Sequence, residues 1–422
     1  MENTSAYKRN MNIDSLKDKR IWFMISGQKV SGSESRAVKV ASYFAKKNIF
    51  KEVIFACNKE LLDEYKKNKV LSRLLAESGL TIIEKNKHEN ILLSNEKFNS
   101  KMLKKYLNLL FNGGKILPSL YRRFILLFSW KNFIKQNIDE NDIVHGIYGM
   151  PVRIAVWELS QYLNNTFVIE ITGPRRVKRY KYYLNALYSR NNKSKNLHFF
   201  AVTKTNYEIY KDFIGEEFFN RHNINFSYYE GPFVSIPGDV KIYEKENIII
   251  FPHRFFGRKN APLFSKAVKK LFDEGTLNGW KVLFRGKGED ESVIRTTLKK
   301  YIESGCVEVG YSNNIAEDFA KSKICVSIIS TDNIPSNSIY ESLKHGNLQV
   351  LSDTGNTKKV LNHPHFFFCQ LDQESLCNAL KGAVDTAISK EFHGKSDNMR
   401  SFYKYMEENN LYVKKALEVY TK

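Results

Sequence analysis

A chain of 422 residues, 42% of them hydrophobic, is long enough for two domains and apolar enough to bury a core, which excludes wholesale disorder. Its 66 Lys and Arg against 45 Asp and Glu leave a formal net charge of +21, which implies an anionic partner: nucleic acid, lipid headgroups or phosphorylated substrates. The five cysteines are scattered, with no CxxC pair and no Cys/His grouping at metal spacing; this argues against a disulfide framework or a zinc site and for buried thiols in a reducing compartment.

The first twenty residues, MENTSAYKRNMNIDSLKDKR, are polar and lack the apolar centre of a signal peptide. The longest apolar runs, such as 124–128, are too short to span a bilayer, so a cytoplasmic protein is expected, with peripheral attachment to a membrane left open. Short apolar runs then follow at 21–26, 52–56, 80–84, 142–146, 166–172 and 198–203. Helical patterns such as 33–47 and 150–163 lie between them, and the alternation predicts an α/β fold with a parallel sheet. The rhythm breaks over 233–247, where Pro237 and Gly238 punctuate a polar connection, so a first domain is placed at 1–237. Alternation restarts with runs at 248–253, 280–286, 307–310, 323–330, 348–353 and 366–370, giving a second domain at 238–396 and a closing helix at 397–422. The two halves do not repeat in sequence, which excludes a solenoid. Such sheets bind ligands beyond the carboxyl ends of their strands, and two units facing each other would make a cleft.

Four loops carry residues suited to chemistry. The first, SGQKVSGSESRAV (26–38), leaves a strand and enters a helix. Ser31-x-x-Glu34 fits a capping box, and Gly32 would equally let a phosphate approach the helix N-terminus. The spacing is not GxGxxG, and no acid stands at the end of the second strand, which disfavours a dinucleotide dehydrogenase. In FPHRFFGRKNAPLF (251–264), Arg254 and Lys259 could clamp a diphosphate or be ordinary solvated loop charge. Gly286 lies in FRGKGEDE (284–291), a strand-to-helix turn of a common kind. Finally, SNSIYESLKHGNLQVLSD (336–353) follows Pro335 and opens a helical pattern whose first amides, at Ser336, Asn337 and Ser338, form an anion site. Glu341 lies one turn further, its side chain directed back toward the N-terminus. It could accept hydrogen bonds from two ribose hydroxyls, or be an acid stabilised by the helix dipole by about 0.3–1 kcal/mol. Taken with Arg254 and Lys259, nucleotide binding is the better account.

Two stretches contain no acid. In 97–138, cations interleave with Phe, Trp and Leu, and Leu120, Phe124, Leu127, Phe128 and Ile134 share a helical face. This reads as a membrane-surface helix or as a core-packing helix with a solvated face. The other, 173–195, follows the strand ending at Thr172 and should overhang the carboxyl end of the sheet. No RNA- or DNA-binding motif accompanies either stretch, so a membrane or an anionic acceptor is favoured over nucleic acid. No apolar strand ends in DxD, and GxSxG, HExxH and GxxxxGK[ST] are absent.

On these residues the chain resembles the GT-B glycosyltransferases, in particular the large retaining family four, from about Ile21 to the C-terminal helix. SGSES (31–35) looks like the family's GGAER-type turn, with Ser31 in place of the first Gly. HRFFGRK (253–259) looks like its GRLxxxKG segment, with Arg254 and Lys259 keeping the five-residue spacing. LFRGKGED (283–290) resembles the GxGP-like turn. The most specific match is NIPSNSIYESLKHGNLQVLSDTG (333–355), which resembles the EGFGLxxLEAMAxGxPVVASDxG block. Glu341 fits the second of that block's two glutamates, while Asn333 stands at the first, with Asp332 beside it. Where many relatives have His-Gly, EITGPRR (170–176) supplies Thr172 and Gly173.

The resemblance implies an α/β GT-B fold: two Rossmann-like domains with parallel sheets facing a central cleft. It implies a nucleotide diphosphate sugar as donor, retention of configuration, no cofactor and no metal. Arg254 and Lys259 would neutralise the leaving diphosphate, with Asn333 at the catalytic sugar position. Gly32, Gly286, Ser336, Asn337, Ser338 and Glu341 would bind the donor. Thr172, Gly173, Arg175 and Arg176 would face the acceptor, and the two arginines suit a phosphorylated or lipid-linked one. The expected role is extension of a surface glycan such as O-antigen or capsule, at the inner face of the plasma membrane, with an anionic surface contacted through 97–138. Two alternatives stand beside it: a catalytically degenerate scaffold or membrane-binding module, which Asn333 keeps open, and a nucleotide-sugar epimerase, whose expected carboxylate and histidine constellation is not evident.

Overall fold

The structure, a computed structural model, describes residues 12–27, 29–30, 32–85, 129–172, 194–229, 233, 243–312, 314–334 and 336–421. The chain packs as two units, one of Met1–Glu230 together with Leu411–Lys422, the other of Gly231–Asn410.

The first unit holds seven parallel strands: β1 (Arg20–Ile25), β2 (Glu52–Asn58), β3 (Thr81–Lys85), β4 (Ile143–Tyr148), β5 (Thr166–Ile171), β6 (Leu197–Ala201) and β7 (Ile224–Tyr228). Their order is β3-β2-β1-β4-β5-β6-β7, so the winding reverses between β1 and β4. The central strands read as continuous apolar runs because helices cover both faces of a parallel sheet. Every residue of β5 is buried, whereas β7 has only Ile224 buried. That difference explains why β7 escapes the sequence reading: INFSY is an edge strand with polar Asn225 and Ser227, and it has no apolar run to betray it. The helices Gly32–Lys47 and Met150–Ser160 follow β1 and β4 at the winding reversal. Between β4 and its helix, Gly149 has φ +96°, and a Cβ there would lie 2.0 Å from Ser26 Oγ, so glycine is required for the loops after β1 and β4 to meet.

The second unit repeats the architecture with six parallel strands: β8 (Glu246–Phe251), β9 (Lys281–Arg285), β10 (Val307–Gly310), β11 (Ser322–Ser327), β12 (Leu348–Ser352) and β13 (Phe366–Cys369). The order β10-β9-β8-β11-β12-β13 reverses between β8 and β11. The helices Ala261–Asp273 and Gln373–Ile388 close one face over a core that includes Phe251, Phe264 and Phe284. On the other, Ile339, Tyr340 and Leu343 of the helix Asn337–Lys344 pack with Met399 and Tyr403 of the helix Phe392–Glu408.

The stretch read as one closing helix over 397–422 is two helices. The first, Phe392–Glu408, belongs to the second unit, and the other, Leu411–Tyr420, belongs to the first. The chain changes unit at Asn409 and Asn410, residues that readily leave helical geometry, and each helix buries its own apolar face. Among the described residues no helix is long and apolar enough to cross a membrane.

Candidate functional site

In the second unit, three loops converge at the carboxyl ends of neighbouring strands. After β8 the chain passes through His253 and Arg254 into a short turn, Gly257–Lys259, and Asn260 then adopts a left-handed conformation (φ +54°) before the next helix. The Asn260 side chain donates to the Ile328 carbonyl (3.1 Å) and to Ser330 Oγ (3.0 Å), and Ser330 N donates to the Arg258 carbonyl (3.0 Å). These bonds tie the loop after β8 to the loop after β11. The loop after β9 joins them through Phe255 N to the Lys287 carbonyl and Asp290 N to the Phe255 carbonyl, each 3.1 Å. A Cβ on Gly286 would stand 1.9 Å from the His253 carbonyl oxygen, so the glycine is explained by this close approach of two backbones.

Arg254, Arg258 and Lys259 gather on that loop, the two arginines exposed and Lys259 half-buried. Among the described residues, no carboxylate pairs with Arg254 or Lys259. Burial first, then the charges of Arg258 and Arg254, push the Lys259 ammonium down to about 7. The arrangement concentrates positive charge at the carboxyl ends of the strands.

The helix Asn337–Lys344 begins beyond the loop after β11. Ser336 occupies its N-cap without capping it through the side chain, and the Ser336 and Ser338 hydroxyls bond to each other at 2.9 Å. Ser336, Asn337, Ser338 and Glu341 are all half-buried, so this first turn retains access to solvent. Asn333 is placed differently. It is 0% exposed, and its carboxamide is engaged by Ser327 and Ser352 at the ends of β11 and β12. Asp332 beside it is half-buried and accepts from Asn356 N at 2.6 Å.

In the first unit, Gly32 opens the helix after β1, and a Cβ there would meet nothing within 4 Å, so neither its φ nor crowding demands glycine. Thr172 lies at the end of β5, where its hydroxyl accepts from the buried Arg153 guanidinium (3.3 Å), which also donates to the Ile147 carbonyl (3.0 Å). Gly173, Arg175 and Arg176 lie outside the described residues, as do Ser31, the stretch 173–193 and 97–128 of the basic amphipathic segment.

The sequence reading missed a buried polar cluster in this unit. Glu170 of β5 is 0% exposed and forms an ion pair with Arg36 of the helix Gly32–Lys47. Tyr412 of the C-terminal helix donates to Glu170 Oε2 (3.1 Å), and its ring lies 5.5 Å from the Arg36 guanidinium. His145 of β4 bonds to the Tyr420 hydroxyl and approaches Glu170 to 3.6 Å. Burial, assisted by Arg36 and Arg153, pushes His145 down to about 3, so it stays neutral. One signal was available: Glu170 is the single acid in TFVIEIT, a run otherwise fit for a fully buried strand.

Among the described residues, no group of three His, Cys, Asp or Glu is placed to hold a metal. Comparison with known proteins adds a family match within the second unit. Residues 235–399 match the family described as Glycosyl transferases group 1. A search of curated protein sequences gives no match. Among solved structures, a mutant of S. aureus TarM, solved with fondaparinux, alpha-GlcNAc-glycerol and UDP, is similar with a TM-score of 0.64 at 13% identity, over 96% of this chain and 100% of that one. The pneumococcal O-GlcNAc transferase GtfA, solved with UDP and GlcNAc, gives 0.61 at 11% identity over 96% and 99% of the two chains. A glycosyltransferase from Rickettsia africae gives 0.58 at 15% identity over 96% and 98%. At such identities the solved structures establish the fold, while the family match covers the unit that carries the cations and the Asn337–Lys344 helix. Residues 235–399 match the group 1 glycosyl transferases, and the chain has the GT-B fold of these glycosyltransferase structures, which together support a glycosyltransferase.

Proposed function

We propose that the protein moves a sugar from a nucleotide diphosphate donor onto a growing surface glycan, with retention of configuration and without a metal. The observation that carries this reading is the group Arg254, Arg258 and Lys259, held at the strand ends in the same unit as the open first turn of the 337–344 helix. As the glycosidic bond breaks, negative charge grows on the leaving diphosphate. Fixed cations and helix N-terminal amides stabilise that charge more than they stabilise the bound donor, which is the requirement for catalysis. Arg254 offers a planar fork, Lys259 a point charge, and the amides of Asn337 and Ser338 a helix-end field. Glu341, one turn in, would hold the ribose. Thr172, Gly173, Arg175 and Arg176 would receive the acceptor, and the two arginines favour a phosphorylated or lipid-linked one.

The first test is thermal stability with UDP, GDP, dTDP and CDP in turn, with EDTA throughout. UDP is the first choice, since TarM and GtfA were solved with it. One nucleotide should stabilise the protein, by about 2.7 kcal/mol at a hundredfold excess over its Kd. No stabilisation by any of them, with or without a divalent cation, overturns the donor-site reading.

Within the acid-free segment 97–138, Trp130, Phe133 and Ile134 are buried in the first unit's core, so the proposal of a cytoplasmic protein bound peripherally to an anionic membrane rests on the charge of 97–128. Charge reversal at Arg122 and Arg123 should weaken flotation with phosphatidylserine vesicles. Unchanged flotation removes the membrane from this proposal.

A further inference from the structure

We infer that Asn333 is a positioning residue of the donor site: its carboxamide joins the loop that presents the cations to the loop that opens the 337–344 helix. The inference rests on the donor-site reading above. Its basis is a buried chain of hydrogen bonds whose direction can be worked out link by link. Ser327 Oγ donates to Asn333 Oδ1 (2.9 Å), so its lone pairs face His253 Nε2, also 2.9 Å away, and that nitrogen must be the donor. Burial, with Lys259 and Arg258 nearby, holds His253 well below its usual range, so it is a neutral imidazole with its proton on Nε2. Asn333 Nδ2 donates onward to Ser352 Oγ (2.8 Å) and to the Ser352 carbonyl (3.3 Å). Ser352 Oγ in turn donates to the Ile329 carbonyl and accepts from Ile329 N, both at 2.9 Å. Asn333 N is bonded to Thr357 Oγ1 at 3.0 Å.

The chain therefore runs from His253, the neighbour of Arg254, through β11 to the end of β12. Every polar atom of the Asn333 side chain is engaged, and none is exposed. The site needs a group that accepts on one side and donates on the other, which an amide does and a carboxylate does not. This explains, from local hydrogen bonding alone, why an asparagine fits here and an ionised acid would not. A buried network with one wrong partner leaves an unsatisfied group and loosens its loops.

The test is calorimetric titration of inorganic pyrophosphate into the full chain, and into S327A, S352A, N333A and N333D, between pH 6 and 8.5. Pyrophosphate reads the cation loop and carries no sugar. S352A and N333A should each weaken it by roughly tenfold, the equivalent of one hydrogen bond's net worth. N333D should acquire a pH dependence relative to wild type. Burial raises a carboxyl's pKa, so at low pH its O–H replaces the amide donor toward Ser352, and affinity falls as pH rises and that proton is lost. Donor KM should rise with kcat less affected.

The contrary result is equally definite. If pyrophosphate affinity is unchanged in S327A, S352A and N333A while sugar release from the donor falls in N333A alone, Asn333 touches the sugar and the positioning role is overturned. Should N333A not fold, the two serine variants decide the matter, because a sugar contact at Asn333 would leave them unaffected. A wild-type chain that binds neither pyrophosphate nor any nucleotide overturns the donor-site reading and this inference with it.

Discussion

Replacing Glu170 by Ala is expected to destabilise the first unit by about 3–5 kcal/mol, because it strands the Arg36 guanidinium in a buried site without its counter-charge. The loss is a large share of the roughly 5–15 kcal/mol that holds a typical domain together. What remains to Arg36 is the Tyr229 hydroxyl at 3.4 Å and the face of Tyr412, neither of which carries a negative charge. Tyr412→Phe is the milder companion: it removes the donor to Glu170 Oε2 and the hydroxyl's contacts with Tyr420 and Arg36, strands no charge, and should cost about 1–3 kcal/mol. Urea unfolding followed by tryptophan fluorescence separates the two, since Trp22, Trp130 and Trp157 all lie in this unit's core. Equal midpoints for wild type and Glu170→Ala would mean that the cluster does not hold the unit together. The same cluster sets an acid limit. His145 is held at about 3 when folded against an ordinary 6.5, so the unfolded chain binds the extra proton between those values. Stability should therefore fall as pH drops below 6.5, through the window in which unfolding lets the imidazole charge.

Lys259→Ala should reduce kcat/KM for donor by about 10²–10³, comparable to deleting one preorganised donor to a developing anion. The fold should survive, because the side chain forms no ion pair among the described residues. A pH signature accompanies this loss. In the protein alone Lys259 is held near 7 by burial and by Arg258 and Arg254, whereas a bound diphosphate favours its charged form. Pyrophosphate affinity should thus weaken as pH rises above about 7, by up to about tenfold per pH unit for one linked proton. Lys259→Ala should abolish that slope. For the protein without ligand the sign is opposite: the folded value lies below the 10.5 of an unfolded lysine, so the unfolded chain binds more protons between them and stability rises with pH across that window. A variant with full activity and an unchanged slope would remove Lys259 from the site.

The Arg254 and Lys259 pair shows how far a local reading reaches. Five residues apart on a strand-to-helix loop, they were visible as candidates but equally as solvated charge. What the fold adds is placement: Lys259 is half-buried beside Arg254 and Arg258, on a loop bonded to the loop after β11. Glu341 could be put at the front of a helix from spacing alone, and the helix Asn337–Lys344 is there. Asn333 was legible only as a departure from a pattern. Its burial depends on Ser327 and Ser352, which lie 6 and 19 positions away and meet it only when β11 and β12 pair.

The sequence by itself determined the class of the fold. Two successive sets of apolar runs separated by helical patterns admit little but two parallel α/β sheets, because the period of hydrophobicity is a local property of the backbone geometry. It also determined which loops leave the strand ends and which cations they carry. Only the tertiary structure decided where the chain's end belongs: residues 397–422 read as one helix, yet Leu411–Tyr420 lies in the first unit while Phe392–Glu408 lies in the second. It alone assembled Glu170, Arg36, His145, Tyr412 and Tyr420, which come from nearly opposite ends of the chain. The physical reason is common to both cases. Periodicity reports which face of an element is buried, but the partner that buries it, and the counter-charge that makes a buried ion tolerable, are supplied by segments that sequence proximity does not reveal.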